Sequence, residues 1–319
     1  MMRPGGGWRV VYGLIAALGW GLSAVAATNA ARRAGTYLAV LSGTYLAVLS
    51  GQGLGVLVLL LLAVLLRPSF AAADGTVALS LAGAGLLGLL GYLAFYRALE
   101  YGGAVGLVSA ISATYGGVTT VLAVLVLGER LGGIGAFGVA LAVAGIALAA
   151  ARPASAAEAS VAVGEPIVGV APAPSRIRSL SRAGVPLAIV SALAYGFGGF
   201  LLGDYSARAG WLVAALVAHG ASITALLMAV PFLGRRKAWR GSASGVIWAA
   251  AAGLTDVVGL LAFSRGGQAG QVAVTAAVSS VYPVIPLVAG ILLFGEQLTR
   301  RQLAGVVGII AGLVLIGLG

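Results

Sequence analysis

Residues 103–129, GAVGLVSAISATYGGVTTVLAVLVLGE, return as residues 270–296, GQVAVTAAVSSVYPVIPLVAGILLFGE, with Ser112, Tyr115 and Gly128-Glu129 superposed on Ser279, Tyr282 and Gly295-Glu296. Each stretch is an apolar run long enough to cross a bilayer. Ten such runs fill the chain, at about 9–29, 37–66, 76–98, 103–127, 132–151, 184–203, 211–233, 245–264, 270–294 and 302–318. The echo extends outward from the quoted stretch. Gly138 and Gly145 find Gly305 and Gly312 in the same register, Leu93-Ala94-Phe95 and Arg97 match Leu261-Ala262-Phe263 and Arg265, and Trp20-Gly21-Leu22 matches Tyr195-Gly196-Phe197. Arg33-Ala34-Gly35 likewise matches Arg208-Ala209-Gly210. Five runs per unit is an odd number, so the second unit must lie upside down relative to the first. The sequence therefore predicts an all-α integral membrane protein of ten transmembrane helices arranged as two inverted five-helix repeats. The repeats occupy residues 1–151 and 184–319, joined by a flexible linker, 152–183, rich in Ala, Pro, Ser and Val.

Composition excludes most other classes. Of 319 residues 61% are hydrophobic and 8% charged, with a mean hydropathy of +1.08; a water-soluble domain cannot hide so much apolar surface. Helices are expected over strands because the runs lack period-2 alternation. The net charge of +11 comes from Arg and Lys beside the runs, where they meet lipid phosphates and set orientation, so the lipid bilayer and not nucleic acid is the expected partner. With no cysteine and one histidine, disulfides, thiolate metal sites and multi-histidine metal sites are excluded, and no cofactor is expected. No phosphate-binding Gly-x-x-x-x-Gly-Lys-Ser/Thr loop occurs, so ATP hydrolysis is not expected either. The first run has no small-residue cleavage site followed by a soluble domain and reads as a retained span. The 51 glycines suit close helix contacts in lipid. One local oddity is that residues 35–42 recur unchanged as 43–50. This duplication stretches the second run to about 30 residues, roughly 45 Å against a hydrocarbon core of about 30 Å, so the helix must project, tilt, or break near Gly43 or Gly51.

Leu127-Gly128-Glu129-Arg130-Leu131 and Phe294-Gly295-Glu296-Gln297-Leu298 each close the fourth run of a unit and precede a glycine-punctuated final run. In this the chain resembles the EamA-type family of the drug/metabolite transporter superfamily over its whole length except 152–183. The resemblance implies a multi-pass cell-membrane protein, not an enzyme, acting as a secondary transporter with a central cavity between the repeats, often an exporter of amino acids or other small metabolites. The linker is longer than usual in such proteins. Neither it nor the duplication touches the two motifs.

Several residues are candidates for transport chemistry. Asp256 lies about 11 residues into its run, some 16 Å deep at ~1.5 Å per residue. Insertion there costs roughly 2.5–3.5 kcal/mol, so the carboxyl is expected to face a cavity or a partner. Gly253 and Gly259 share its helical face and allow a close approach. His219 sits at similar depth in the preceding run. Two readings of a His219–Asp256 pair stand, a proton-exchanging couple and a neutral hydrogen bond locking two helices. Tyr115 and Tyr282, with Ser112 and Ser279 one turn earlier, are expected to line the cavity. Pro283 and Pro286 would free carbonyls near Ser279 and Tyr282 for the same purpose, or only kink the helix. Trp20 and Tyr195 are candidate aromatic walls or core. Glu129 and Glu296 read either as structural caps of the following helix or as proton carriers. Interfacial anchoring accounts for Asn29, Asp204, Arg97 and Arg265.

Two expectations disagree on orientation. Six basic residues, Arg3, Arg9, Arg67, Arg130, Arg208 and Arg265, fall on the side of the termini and the other 13 of 19 opposite, which places the termini outside; the resemblance implies cytoplasmic termini. Among functional classes, a transporter of a small-molecule substrate, with protons as a candidate coupling ion, leads. An intramembrane protease using Asp204 and Asp256, or a serine with His219, lacks the Gly-x-Gly-Asp or Gly-x-Ser-x-Gly arrangement. A non-transporting scaffold or lipid-handling protein is the alternative that solute flux in liposomes would separate. Nothing in the residues specifies substrate identity or oligomeric state.

Overall fold

Residues 7–33, 40–100, 105–128, 132–150, 184–229, 243–269, 272–294 and 298–318 are described by a computed structural model. The expected linker, 152–183, and both Glu129 and Glu296 lie outside them. Every regular element among the described residues is a helix: α1 (Gly7–Arg33), α2 (Val40–Leu66), α3 (Gly75–Glu100), α4 (Val105–Ser112), α5 (Tyr115–Leu127), α6 (Gly133–Ala150), α7 (Gly184–Ala209), α8 (Trp211–Ala229), α9 (Ala243–Gln268), α10 (Val272–Ser279), α11 (Val284–Phe294) and α12 (Arg300–Leu318). Seven helical stretches of this set are long and apolar enough to cross a membrane. The surface is inverted relative to a soluble protein, with Val64, Leu79, Leu125 and Leu292 all exposed, a distribution that only lipid makes favourable.

The second six helices reproduce the first six in order and, α2 apart, closely in length, and the repeats interlock. α1 packs on α9 and α3 on α7, while α6 pairs with α12. The main packing partner of each of these helices belongs to the other repeat. Direction is readable from the glycines. A Cβ on Gly138 would sit 2.6 Å from the carbonyl oxygen of Gly312, and one on Gly145 would sit 2.7 Å from that of Gly305. Early residues of α6 thus face late residues of α12, so the two run antiparallel, as inversion of the second repeat demands. Backbones approach this closely because small residues line both helices, which is how helices associate where no hydrophobic effect draws them together.

Local chemistry sets the ends. Asp74 caps α3, its Oδ1 accepting from the Val77 N–H at 2.9 Å. Thr299 and Gln302 form a reciprocal capping box at the start of α12, so the cap of that helix is Thr299. Gly210, at φ 86°, is the whole connection between α7 and α8 and adopts a backbone conformation costly for a side chain. α2 is helical through both Gly43 and Gly51, so no break relieves the duplication. Its 27 residues span about 40 Å, eight residues more than the 19 of its repeat mate α8.

The expected fourth run of each repeat is two helices, not one. The second break follows the prolines, but its carbonyls are not freed. The Tyr282 N–H donates to Ser279 O at 3.2 Å and the Ile285 N–H to Tyr282 O at 3.1 Å, so the chain tightens by one residue per turn and satisfies them. The first break, at Ala113-Thr114, occurs without proline. There the Thr114 hydroxyl bonds Ile111 O at 2.7 Å while its N–H reaches the same oxygen at 3.1 Å.

Gly312→Ala places a Cβ 2.5 Å from Gly138 O and 2.6 Å from Ala142 N, and should destabilise the bundle by about 1–3 kcal/mol. Gly53→Ala, which meets nothing within 4 Å, should not destabilise it and should gain up to about 1 kcal/mol from the helix preference of alanine. Thermal unfolding of both variants in detergent measures the difference.

Candidate functional site

A cavity of about 150 Å³ lies between the repeats. Both contribute to its walls, the first through α1, α2, α3 and Tyr115, the second through α7, α8, α9 and Tyr282. Of the residues the sequence singles out, Trp20, Tyr115, Tyr195, His219, Asp256 and Tyr282 line this space. Ser112 and Ser279 are buried outside the lining.

The aromatic wall is organised around Tyr115, whose ring lies 5.9 Å from Trp20, 6.3 Å from Tyr195 and 6.5 Å from Tyr282. Trp20 also meets Phe263 at 5.4 Å. These separations fall within the range of favourable edge and tilted ring contacts. Glycines make room for the two bulky rings that come from the first helix of each repeat. Gly259 faces the Trp20 indole, where a Cβ would approach to 2.7 Å, and Gly91 faces the Tyr195 ring at the same distance. The pairs are repeat mates, so one seat is built twice with the halves exchanged. Gly259, expected to admit a helix or a substrate beside Asp256, admits Trp20.

The tyrosines at the two breaks reach across to the other repeat. The Tyr115 hydroxyl and Ser279 Oγ lie 2.6 Å apart, and the Tyr282 hydroxyl donates to the Ser109 carbonyl at 3.3 Å. Ser279 therefore holds Tyr115 in place from behind. Among the described residues its repeat mate Ser112 has no hydrogen-bond partner for its hydroxyl, nor has Ser109 Oγ.

Asp256 occupies the middle of α9 and is partly accessible, through the cavity it lines. Its carboxyl has no hydrogen-bonding or ion-pairing partner among the described residues. The expected pair with His219 does not form. His219 Nε2 lies 3.1 Å from the backbone oxygen of Gln52; a carbonyl only accepts, so Nε2 carries the hydrogen. Gly55, one turn along α2, makes this possible, since a Cβ there would meet Nε2 at 2.5 Å. The histidine ties α8 to α2, while Ser222 ties α8 to α3 through Gly85 O at 2.7 Å. Both residues nevertheless share the cavity with Asp256.

Tyr92 and Tyr96 also line the cavity, their rings 5.1 Å apart, with Ser23 Oγ 3.4 Å from the Tyr92 hydroxyl. The repeat conceals them, because Tyr92 corresponds to Leu260 and Tyr96 to Ser264. The signal that does exist is the stripe Gly85, Gly88, Tyr92, Tyr96, spaced to occupy one helical face. Gln52 carries no such signal, and its side-chain oxygen is buried without a partner among the described residues.

A model of the EamA-like transporter family matches residues 7–151 and again residues 182–318. The chain belongs to this family. It is accordingly a multi-pass membrane protein of a transporter family, and its cavity lies between the two EamA-like units. No curated protein matches. Among solved structures 23 chains match. One, described as "Crystal structure of protein", has a TM-score of 0.65 and 16% identity, covering 97% of this chain and 97% of its own. That likeness establishes the fold of the EamA-like chain and nothing further.

The Tyr115–Ser279 contact joins two buried groups, so a double-mutant cycle of Tyr115→Phe and Ser279→Ala should return a coupling of about 0.5–1.5 kcal/mol. Tyr115→Phe with Ser112→Ala, whose hydroxyls do not meet, should return none. Denaturant titration of the detergent-solubilised variants measures both.

Proposed function

We propose that this EamA-like protein is a secondary transporter that crosses the cell membrane ten times and exports a small metabolite by alternating access, driven by a proton or solute gradient. The observation that carries this reading is the cavity between the repeats with one carboxyl, Asp256, on its wall and no partner for it among the described residues. An ionisable group in the middle of a membrane helix is costly and is by default a functional group. Here it sits where a solute enclosed between the repeats would meet it. Asp256 is the proton-exchanging group of this proposal. His219, already tied to Gln52, serves chiefly to hold α8 against α2.

Volume decides between the substrate sizes. Drug-sized ligands occupy pockets of roughly 300–1,000 Å³, whereas a cavity of about 150 Å³ in another protein accepts benzene. At about 150 Å³, the present space suits a compact metabolite better than a drug-like solute.

Purified protein in liposomes under an imposed pH gradient tests the proposal. Flux of a small solute that responds to the gradient is expected. Asp256→Asn should cut that flux by at least about tenfold or make it indifferent to the gradient, and His219→Ala should lower it less. Wild-type flux and gradient dependence in Asp256→Asn would remove the carboxyl from the mechanism. Intact, oriented protein that moves no solute would favour a scaffold.

A further inference from the structure

We infer that the cavity selects compact organic cations over zwitterions, anions and neutral solutes of the same shape. This rests on the transporter reading above and narrows its substrate class.

The first ground is charge. Asp256 is the one acidic residue on the described lining, and no Lys or Arg lies there. A solute carrying a carboxylate or phosphate would find no basic group to receive it and would bring a second negative charge beside the first. Inside a protein, where the effective dielectric is below that of water, like charges at close range repel strongly. A cation would instead supply the partner that the carboxyl lacks. Burying an ion is costly unless it is paired, so the gain from pairing is realised only by a positively charged solute.

The second ground is the wall. Trp20, Tyr92, Tyr96, Tyr115, Tyr195 and Tyr282 all border the space. Aromatic faces carry negative potential and attract cations, most strongly where water is excluded, and several rings around one small volume form the cage that recognises ammonium groups. Rings alone would also suit a neutral aromatic solute. Rings together with an unpaired carboxyl and no base distinguish the cation.

Benzylamine, benzyl alcohol and benzoate are near-isosteres that carry positive, zero and negative charge, and phenylglycine, which is benzylamine with a carboxylate added, is the zwitterion. Binding to the purified full-length protein is measured by calorimetry, and counterflow of each labelled compound is measured in proteoliposomes. Benzylamine should bind at least about tenfold more tightly than the other three. Asp256→Asn, isosteric and uncharged, should weaken benzylamine binding at least about tenfold, while thermal unfolding in detergent like that of the unsubstituted protein shows that the variant is still folded. The inference is overturned if benzoate or phenylglycine binds as well as benzylamine, if Asp256→Asn keeps the preference, or if benzylamine does not bind. Counterflow separates the two levels. Transport of phenylglycine or benzoate without benzylamine sinks the cation assignment and leaves the transporter standing. Tight benzylamine binding without counterflow of any compound does the reverse.

Discussion

Close backbone contact between helices of opposite repeats is the constraint on which this molecule depends. In lipid, apolar side chains gain nothing by leaving their surroundings, so helices hold together only where they fit closely or bond across the gap. Close backbone fits join the two repeats: Gly85 on Ala218, Gly138 on Gly312, Gly145 on Gly305, and Gly19 on Thr255 and Gly259. A further close approach, Gly267 on Gly203, fastens α9 to α7 within the second repeat. Because α1 leans on α9 and α3 on α7, neither repeat retains its principal packing alone. The cavity follows from the same constraint. Where glycine meets glycine the helices touch, and at Trp20 and Tyr195 a glycine on the facing helix, Gly259 or Gly91, leaves room for the ring that walls the cavity.

Symmetry builds the scaffold, and departures from symmetry supply the chemistry. Trp20 and Tyr195, Tyr115 and Tyr282, Phe95 and Phe263 are mates, and each pair stands on both sides of the cavity. Asp256 has no acidic mate. In the register that aligns Phe95 with Phe263, its counterpart is Gly88, which lines the same space. Two carboxyls on the wall of one small cavity would disfavour each other's ionisation. One carboxyl opposite a glycine leaves a single charge and room beside it. Tyr92 and Tyr96 are unmatched in the same way and also face the cavity.

What the sequence reveals of this site follows from that division. The repeat makes the scaffold legible, since Tyr115 with Tyr282 and Trp20 with Tyr195 are found by register alone. The same method passes over Tyr92 and Tyr96 because their counterparts are Leu260 and Ser264. Asp256 is found by a different argument, the cost of a charge at depth. Its supposed partner is not, because depth places His219 near Asp256 but says nothing of rotation about the helix axis. That rotation, together with the missing Cβ of Gly55, gives the imidazole to Gln52 O. Ser112 and Ser279 fail for the same reason: one turn before a tyrosine is the right face only while the helix is continuous, and both helices break between serine and tyrosine. The proline-driven break is visible in the sequence. The one at Ala113-Thr114 is not, since neither residue is a helix breaker.

The paired breaks also bear on movement. Gly21 touches Ile285 and the carbonyl of Tyr282, and Gly196 touches Val118 and the carbonyl of Tyr115, so each first helix rests against the break of the other repeat. These two seats are twins with the repeats exchanged. If one first helix shifted against its break while the other shifted back, the packing given up on one side would return in equivalent form on the other. Two arrangements of such a bundle would then differ little in packing energy, as the two halves of an inverted repeat require if they are to trade conformations. The residues without twins would feel the exchange. Asp256 and His219 sit on α9 and α8, and the Gln52 carbonyl that holds His219 belongs to the other repeat. Groups without twins, Asp256, His219, Tyr92 and Tyr96 among them, are where a bias between two such arrangements would arise.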